Sequence, residues 1–301
     1  SNLGVIPADG VPAYDVVWGY LVPLAIPLLL FRADLRRILR EAGPTLLAFV
    51  IGGIGTIIGT VIAFQVVPLG DEGWKLASIF SATYIGGSMN YAAAAEAVGL
   101  RSGDLLSAGV AADNLVMALY FLVLFALPST VWLREKFVKR HHEAAEGSAA
   151  LDESRRSAAT LPDVNTASLS LAIALGLCAA GFALEKLTGW RGSGILIVTA
   201  LTVTLATALP GRFGKLGGAS VLGTFLMQIF FAVIGASANV VVVMKVGPVL
   251  FVFAALILTV HLIFLLVAGW LLKLDLSDMI IASNANMGGP TTAAAMAVAR
   301  R

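Results

Sequence analysis

Charge is what this chain has least of. Its 20 Lys and Arg and 18 Asp and Glu make up 13% of 301 residues, about half the share a soluble domain carries. With 58% hydrophobic residues and a mean hydropathy of +0.91, the composition excludes an ordinary water-soluble globular domain. A net charge of +2 says little by itself, the placement of the basic residues saying more; no nucleic-acid partner is expected. The single cysteine, Cys178, excludes an internal disulfide. HExxH and GxSxG motifs are absent, and Tyr14-Asp15 has no GxGD partner. The expectation is therefore no enzyme and no organic cofactor.

What the chain does have is apolar runs long enough, at roughly 17 to 25 residues, to cross a bilayer. Spans are expected at 14–31, 44–68, 104–128, 166–186, 194–210, 218–238 and 247–272. Pro23 and Pro27 fall inside the first, which buried membrane helices tolerate. A basic turn or short helix carries Arg32, Arg36, Arg37 and Arg40. Gly52 with Thr56 and Gly55 with Gly59 have the small-xxx-small spacing of close helix contacts, either within the monomer or in a homodimer. A charged cytoplasmic linker runs over 129–165.

Two stretches stand apart. SATYIGGSMNYAAAAEAV at 81–98 and SNANMGGPTTAAAMAVA at 283–299 align at Gly86-Gly87 and Gly288-Gly289, 202 residues apart. Each has a polar lead-in, a double glycine, a Ser or Pro, and an alanine run. Gly costs about 1 kcal/mol and Pro about 3 kcal/mol inside a helix, so each pattern predicts a break. EAGPTLLAF at 41–49 likewise resembles KVGPVLFVF at 245–253, 204 residues on. The halves read as copies: a first repeat over 1–128, N-terminally incomplete, and a second over 166–301, C-terminally incomplete. The pairing expects two further spans at the front and one at the back of a longer full-length product.

Basic residues favour the cytoplasmic side. If both broken segments cross, the basic residues divide 10 against 10; if both are re-entrant hairpins, 5 face 15. The bias prefers hairpins, the alternative being broken helices that span. Five spans per repeat then make the copies inverted. Each arm of about ten residues reaches ~15 Å, near the midplane. The fold class is thus an all-α polytopic membrane protein of inverted-repeat transporter type.

Asp113 lies mid-span, ~14 Å deep, where an ionisable residue marks an ion or proton pathway by default; a structural role is the alternative. Asn114 offers an oxygen beside it. At the first break, Thr83, Ser88 and Asn90 supply oxygens and Gly86 and Gly87 bare backbone. At the second, Ser283, Asn284, Asn286, Thr291 and Thr292 flank Gly288 and Gly289. Such breaks suit a solute and its coupling ion; packing between helices explains the glycines and alanines but not the oxygens. His261 reads as a structural hydrogen-bonding group sooner than a proton relay, and Glu96 as an interfacial carboxylate.

TYIGGSMNYAAAAEAVGL, AADNLVMALYF and SNANMGGPTTAAA resemble a membrane family of bacteria and plastids, domain of unknown function 819, over essentially the whole chain. That family is distantly similar to sodium-coupled glutamate, hydroxycarboxylate and bile-acid symporters and to sodium/proton antiporters. The resemblance implies that Asp113-Asn114 occupies the place of the acid–amide pair that handles Na⁺ or H⁺. It also implies a multi-pass protein of the bacterial inner membrane, or of a plastid membrane if eukaryotic. Lipid and a small solute are the expected partners. The functional expectation is a Na⁺- or H⁺-coupled symporter of a small anionic organic solute, with a cation/proton antiporter as the alternative.

Overall fold

The computed structural model describes residues 11–130, 137, 163–190, 192–237 and 239–299. Among these residues there is helix and no strand. In chain order the helices are α1 (Pro12–Leu30), α2 (Leu35–Glu41), α3 (Gly43–Val66), α4 (Gly73–Gly86), α5 (Ser88–Val98), α6 (Gly103–Ala126), α7 (Val164–Thr188), α8 (Gly194–Ala208), α9 (Ala219–Ser237), α10 (Val240–Leu271) and α11 (Leu276–Ala299). Six of the described helices are long and apolar enough to cross a membrane, and α8 is a shorter apolar helix. The expected spans fall on α1, α3, α6, α7, α8, α9 and α10, within a few residues at most ends. The largest difference is α10, which starts seven residues before the expected 247. The expected basic turn is the helix α2, whose Arg37 pairs with Glu41.

The chain forms two compact units, Ser1–Glu41 with Ala92–Leu106 and Ser154–Val240, and Ala42–Tyr91 with Ser107–Glu153 and Val241–Arg301. In the first unit, α7, α8 and α9 pack on α1. Leu24, Leu28 and Phe31 of α1 meet Ala174 and Leu177 of α7 and Phe213 in a buried core. Phe31 and Phe213 are edge-to-face at 5.3 Å, a favoured aromatic geometry. Pro27 has no N–H for the carbonyl of Pro23. The Cys178 thiol donates to that carbonyl at 3.3 Å, which is how a membrane helix tolerates an internal proline. Arg101 is bidentate to Glu96 and lies 4.4 Å from the Trp18 ring centroid.

In the second unit the glycines of α3 form its contact face. A Cβ at Gly55 would stand 3.0 Å from Phe264 Cδ1, and one at Gly59 would stand 2.8 Å from the Ile257 carbonyl oxygen. Both small-xxx-small pairs of α3 are buried and are used against α10 within this chain. Helix α11 packs on α3 and α4.

Candidate functional site

Both double glycines break their helices, and both do so in the same way. Gly87 ends α4 with φ 90° and ψ 177°, and Gly289 interrupts α11 with φ 78° and ψ −170°. Only glycine adopts this backbone without strain of roughly 1–3 kcal/mol. The two breaks touch. The Gly87 amide donates to Thr83 O at 2.7 Å and to Asn286 O at 3.2 Å. A Cβ on Gly87 would lie 3.0 Å from the Gly289 nitrogen. Any residue larger than glycine is therefore excluded twice over, by φ and by contact.

A helix that stops leaves carbonyls without intrahelical partners. At the end of α4 these are taken by neighbours. The Thr56 hydroxyl donates to Tyr84 O at 3.0 Å. The Asn286 amide nitrogen donates to Ile85 O at 3.2 Å and to Phe49 O at 3.3 Å. The carbonyls of Tyr84 and Ile85 are therefore not bare. Asn286 and Thr56 act there as clamps.

Asp113 is 5% exposed, and its Oδ1 has no hydrogen-bond partner among the described residues. The fully buried Tyr84 hydroxyl faces it, within interaction range but also without a hydrogen-bond partner among the described residues. Tyr91 also stands in electrostatic range of Asp113. One turn before Asp113, Gly109 leaves the space that the Tyr91 hydroxyl fills. A buried carboxyl group is costly to keep charged unless it is neutralised or fully hydrogen-bonded.

Two turns after Asp113 on α6, Tyr120 meets Ser283 Oγ at 2.6 Å. Ser283 Oγ is 3.0 Å from His261 Nε2. His261 Nδ1 is 2.8 Å from Gly52 O and 3.0 Å from Thr56 Oγ1. Polar contacts thus run from α6 through α11, α10 and α3 to the Tyr84 carbonyl of α4. The Tyr84 side chain returns to Asp113 on α6, closing a ring.

Of the residues expected at the site, Thr83, Asp113, Ser283, Asn284 and Asn286 are buried, and Gly86, Gly87, Gly288 and Gly289 form the crossing. Thr83 bonds only its own helix, at Ile79 O. Asn284 is 2% exposed with Oδ1 unpartnered among the described residues. Asn90 reaches back across Gly86 to Ala82 O at 3.1 Å. Ser88 and Asn114 are exposed, so Asn114 does not share the burial of Asp113. Thr291 and Thr292 lie on the helix after the second break, and their side chains fall outside the described residues. Sequence reasoning missed Tyr84, Tyr91, Tyr120 and Thr56. The available signal was three tyrosines in apolar runs, whose hydroxyls need partners once buried.

Comparison with known proteins agrees with this picture of a helical membrane protein. The family model described as "Protein of unknown function (DUF819)" matches residues 1–301. The chain is 37% identical over 316 residues to the "Uncharacterized membrane protein YjcL" of Bacillus subtilis (strain 168), an alignment covering 100% of this chain and 78% of that protein. The chain is a multi-pass membrane protein and belongs to the DUF819 family.

Proposed function

We propose that this chain is a secondary active transporter, a Na⁺- or H⁺-coupled symporter of a small anionic organic solute, and not an enzyme. The observation that carries the reading is the contact between two glycine breaks of matching backbone, 202 residues apart, beside a buried carboxylate. Helix breaks that meet within an apolar bundle expose polar backbone and helix ends to a solute. The inverted repeat belongs to this proposal. Its support is the placement of unit boundaries at Glu41/Ala42 and Val240/Val241, near the same position in each proposed copy. Such copies, each contributing to both units, suit a carrier in which one unit moves against the other. Re-entrant arms rest on the charge bias, and an inner-membrane location rests on the family resemblance.

A cation/proton antiporter is the second reading. Among the described residues no Lys or Arg is buried, whereas Asp113 is. That pattern suits a cation at the crossing better than an anion. Reconstituted protein with an imposed Na⁺ or pH gradient separates the readings. Symport gives solute accumulation that follows the gradient; antiport gives cation-driven proton release without added solute. Asp113→Asn abolishes either flux. Undiminished coupled flux in that variant would remove Asp113 from the mechanism.

A further inference from the structure

We propose that His261 is a positioning residue for Tyr84 and Asp113, held as the neutral Nδ1–H imidazole by hydrogen bonds of a single sense. One partner of the ring has no choice of role. Gly52 O is a carbonyl and only accepts, and it lies 2.8 Å from His261 Nδ1. Nδ1 therefore carries the hydrogen. A neutral ring then has its lone pair on Nε2, so Ser283 Oγ, 3.0 Å away, donates to it. Ser283, its hydrogen used, accepts from the Tyr120 hydroxyl at 2.6 Å. On the other side, Thr56 Oγ1 lies 3.0 Å from Nδ1–H and turns its lone pair there. Its own hydrogen has two acceptors in reach, Tyr84 O at 3.0 Å and Gly52 O at 3.1 Å; with Gly52 O already taken by Nδ1–H, it goes to Tyr84 O.

Every group in the chain is satisfied by this one arrangement. The Nε2–H tautomer would set a bare Nδ1 against the Gly52 carbonyl, two acceptors at 2.8 Å. A doubly protonated ring would place a buried charge among Gly52, Thr56 and Ser283, none of them anionic. Tyr120, at the far end, is buried and lines an apolar groove of about 230 Å³ with Val116, Leu258 and Leu262. Its hydroxyl has Ser283 as its acceptor. The chain thus points one way, from the groove toward α3.

The consequence for the site follows from Thr56. It fixes the last turn of α4, and the Tyr84 ring from that turn faces Asp113. His261 touches neither Asp113 nor the break glycines by hydrogen bond; it acts through Thr56 on one side and Ser283 on the other. Ser283 is accordingly part of the frame and not an ion ligand. The positioning role rests on the carrier reading; the tautomer does not.

The test uses the full chain, ¹⁵N-labelled at histidine, in nanodiscs, with the His261 signal identified by its loss in His261→Gln. The expected spectrum shows a protonated Nδ1 and a bare Nε2. In Ser283→Ala the Nδ1–H tautomer persists, because Gly52 O still fixes it, while the Nε2 signal shifts on losing its donor. An Nε2–H tautomer or an imidazolium in the unmodified protein overturns the proposal. The second arm measures the shift in melting temperature when NaCl replaces choline chloride, or when pH is lowered, and its loss in Asp113→Asn. Asn at position 261 carries an amide N–H near the Nδ1 place, and Gln carries one near the Nε2 place. His261→Asn is expected to keep at least half of the shift and His261→Gln to lose it. Equal loss in two folded variants reduces His261 to packing and overturns the positioning role. Absence of any Asp113-dependent shift in the unmodified protein defeats the carrier reading and the positioning role with it, while the tautomer result stands apart.

Discussion

The two glycine breaks share a backbone and differ in what surrounds them. Gly87 and Gly289 have φ values of 90° and 78° with extended ψ. Yet the arm before Gly289 carries Ser283 and Asn286, whose hydrogen bonds tie it to α3, α4, α6 and α10. The arm before Gly87 receives its clamps from other helices and sends Tyr84 toward Asp113 with its hydroxyl unpartnered among the described residues. Sequence likeness of the two stretches therefore does not make them equal. The arm before Gly289 ties four helices together while keeping Asn284 Oδ1 and Asn286 Oδ1 unpartnered among the described residues; the arm before Gly87 is held by others and keeps the Tyr84 hydroxyl open.

The sharpest way to break the comparison is at the contact itself. Gly87→Ala is expected to cost about 3 kcal/mol or to prevent folding, since backbone strain and contact at 3.0 Å with Gly289 add. Gly99→Ala shares a positive φ of 66° but has open space around it, so about 1 kcal/mol is expected. Thermal unfolding of the two variants in detergent checks the difference. Equal losses would mean that the crossing adds nothing beyond backbone strain.

Next in size is Ser283→Ala, which leaves Tyr120 and His261 Nε2 without their partner. Stranding buried groups costs about 1–3 kcal/mol. Thr83→Ala, removing a hydroxyl bonded only to Ile79 O of its own helix, is expected to cost under about 1 kcal/mol. Denaturation midpoints that rank the other way would deny the second break its role as frame.

Asp113→Asn sharpens the other side. Removing a buried charge with an unpartnered oxygen leaves the folded state as stable or more so, while coupled flux is lost. Asn114→Ala, on an exposed position, leaves both unchanged. A melting curve and a flux assay on the same preparations decide it. A small effect is expected at Glu96→Gln, which weakens a partly exposed pair with Arg101. Such pairs are worth under about 1 kcal/mol, and salt titration of the melting temperature measures it.

The breaks were legible because helix penalties for Gly and Pro are local. Asp113 was legible because a carboxylate in an apolar run is conspicuous by itself. Asn114 shows the limit of that reading. Adjacent residues on a helix point about 100° apart, so its neighbour's burial implied nothing for it. Thr56 shows the opposite error: a hydroxyl read as part of a small-residue packing pair caps a carbonyl 28 positions away.

Composition and periodicity alone determined that this is a helical membrane protein, where it breaks, and that Asp113 stands within an apolar run. These depend on the chain's own backbone and its preference for lipid over water. Only the tertiary structure decided which oxygens are open to a ligand and which are clamps. A hydroxyl or amide has the same chemistry in either role, and the choice lies with whatever carbonyl another helix brings within about 3 Å of it.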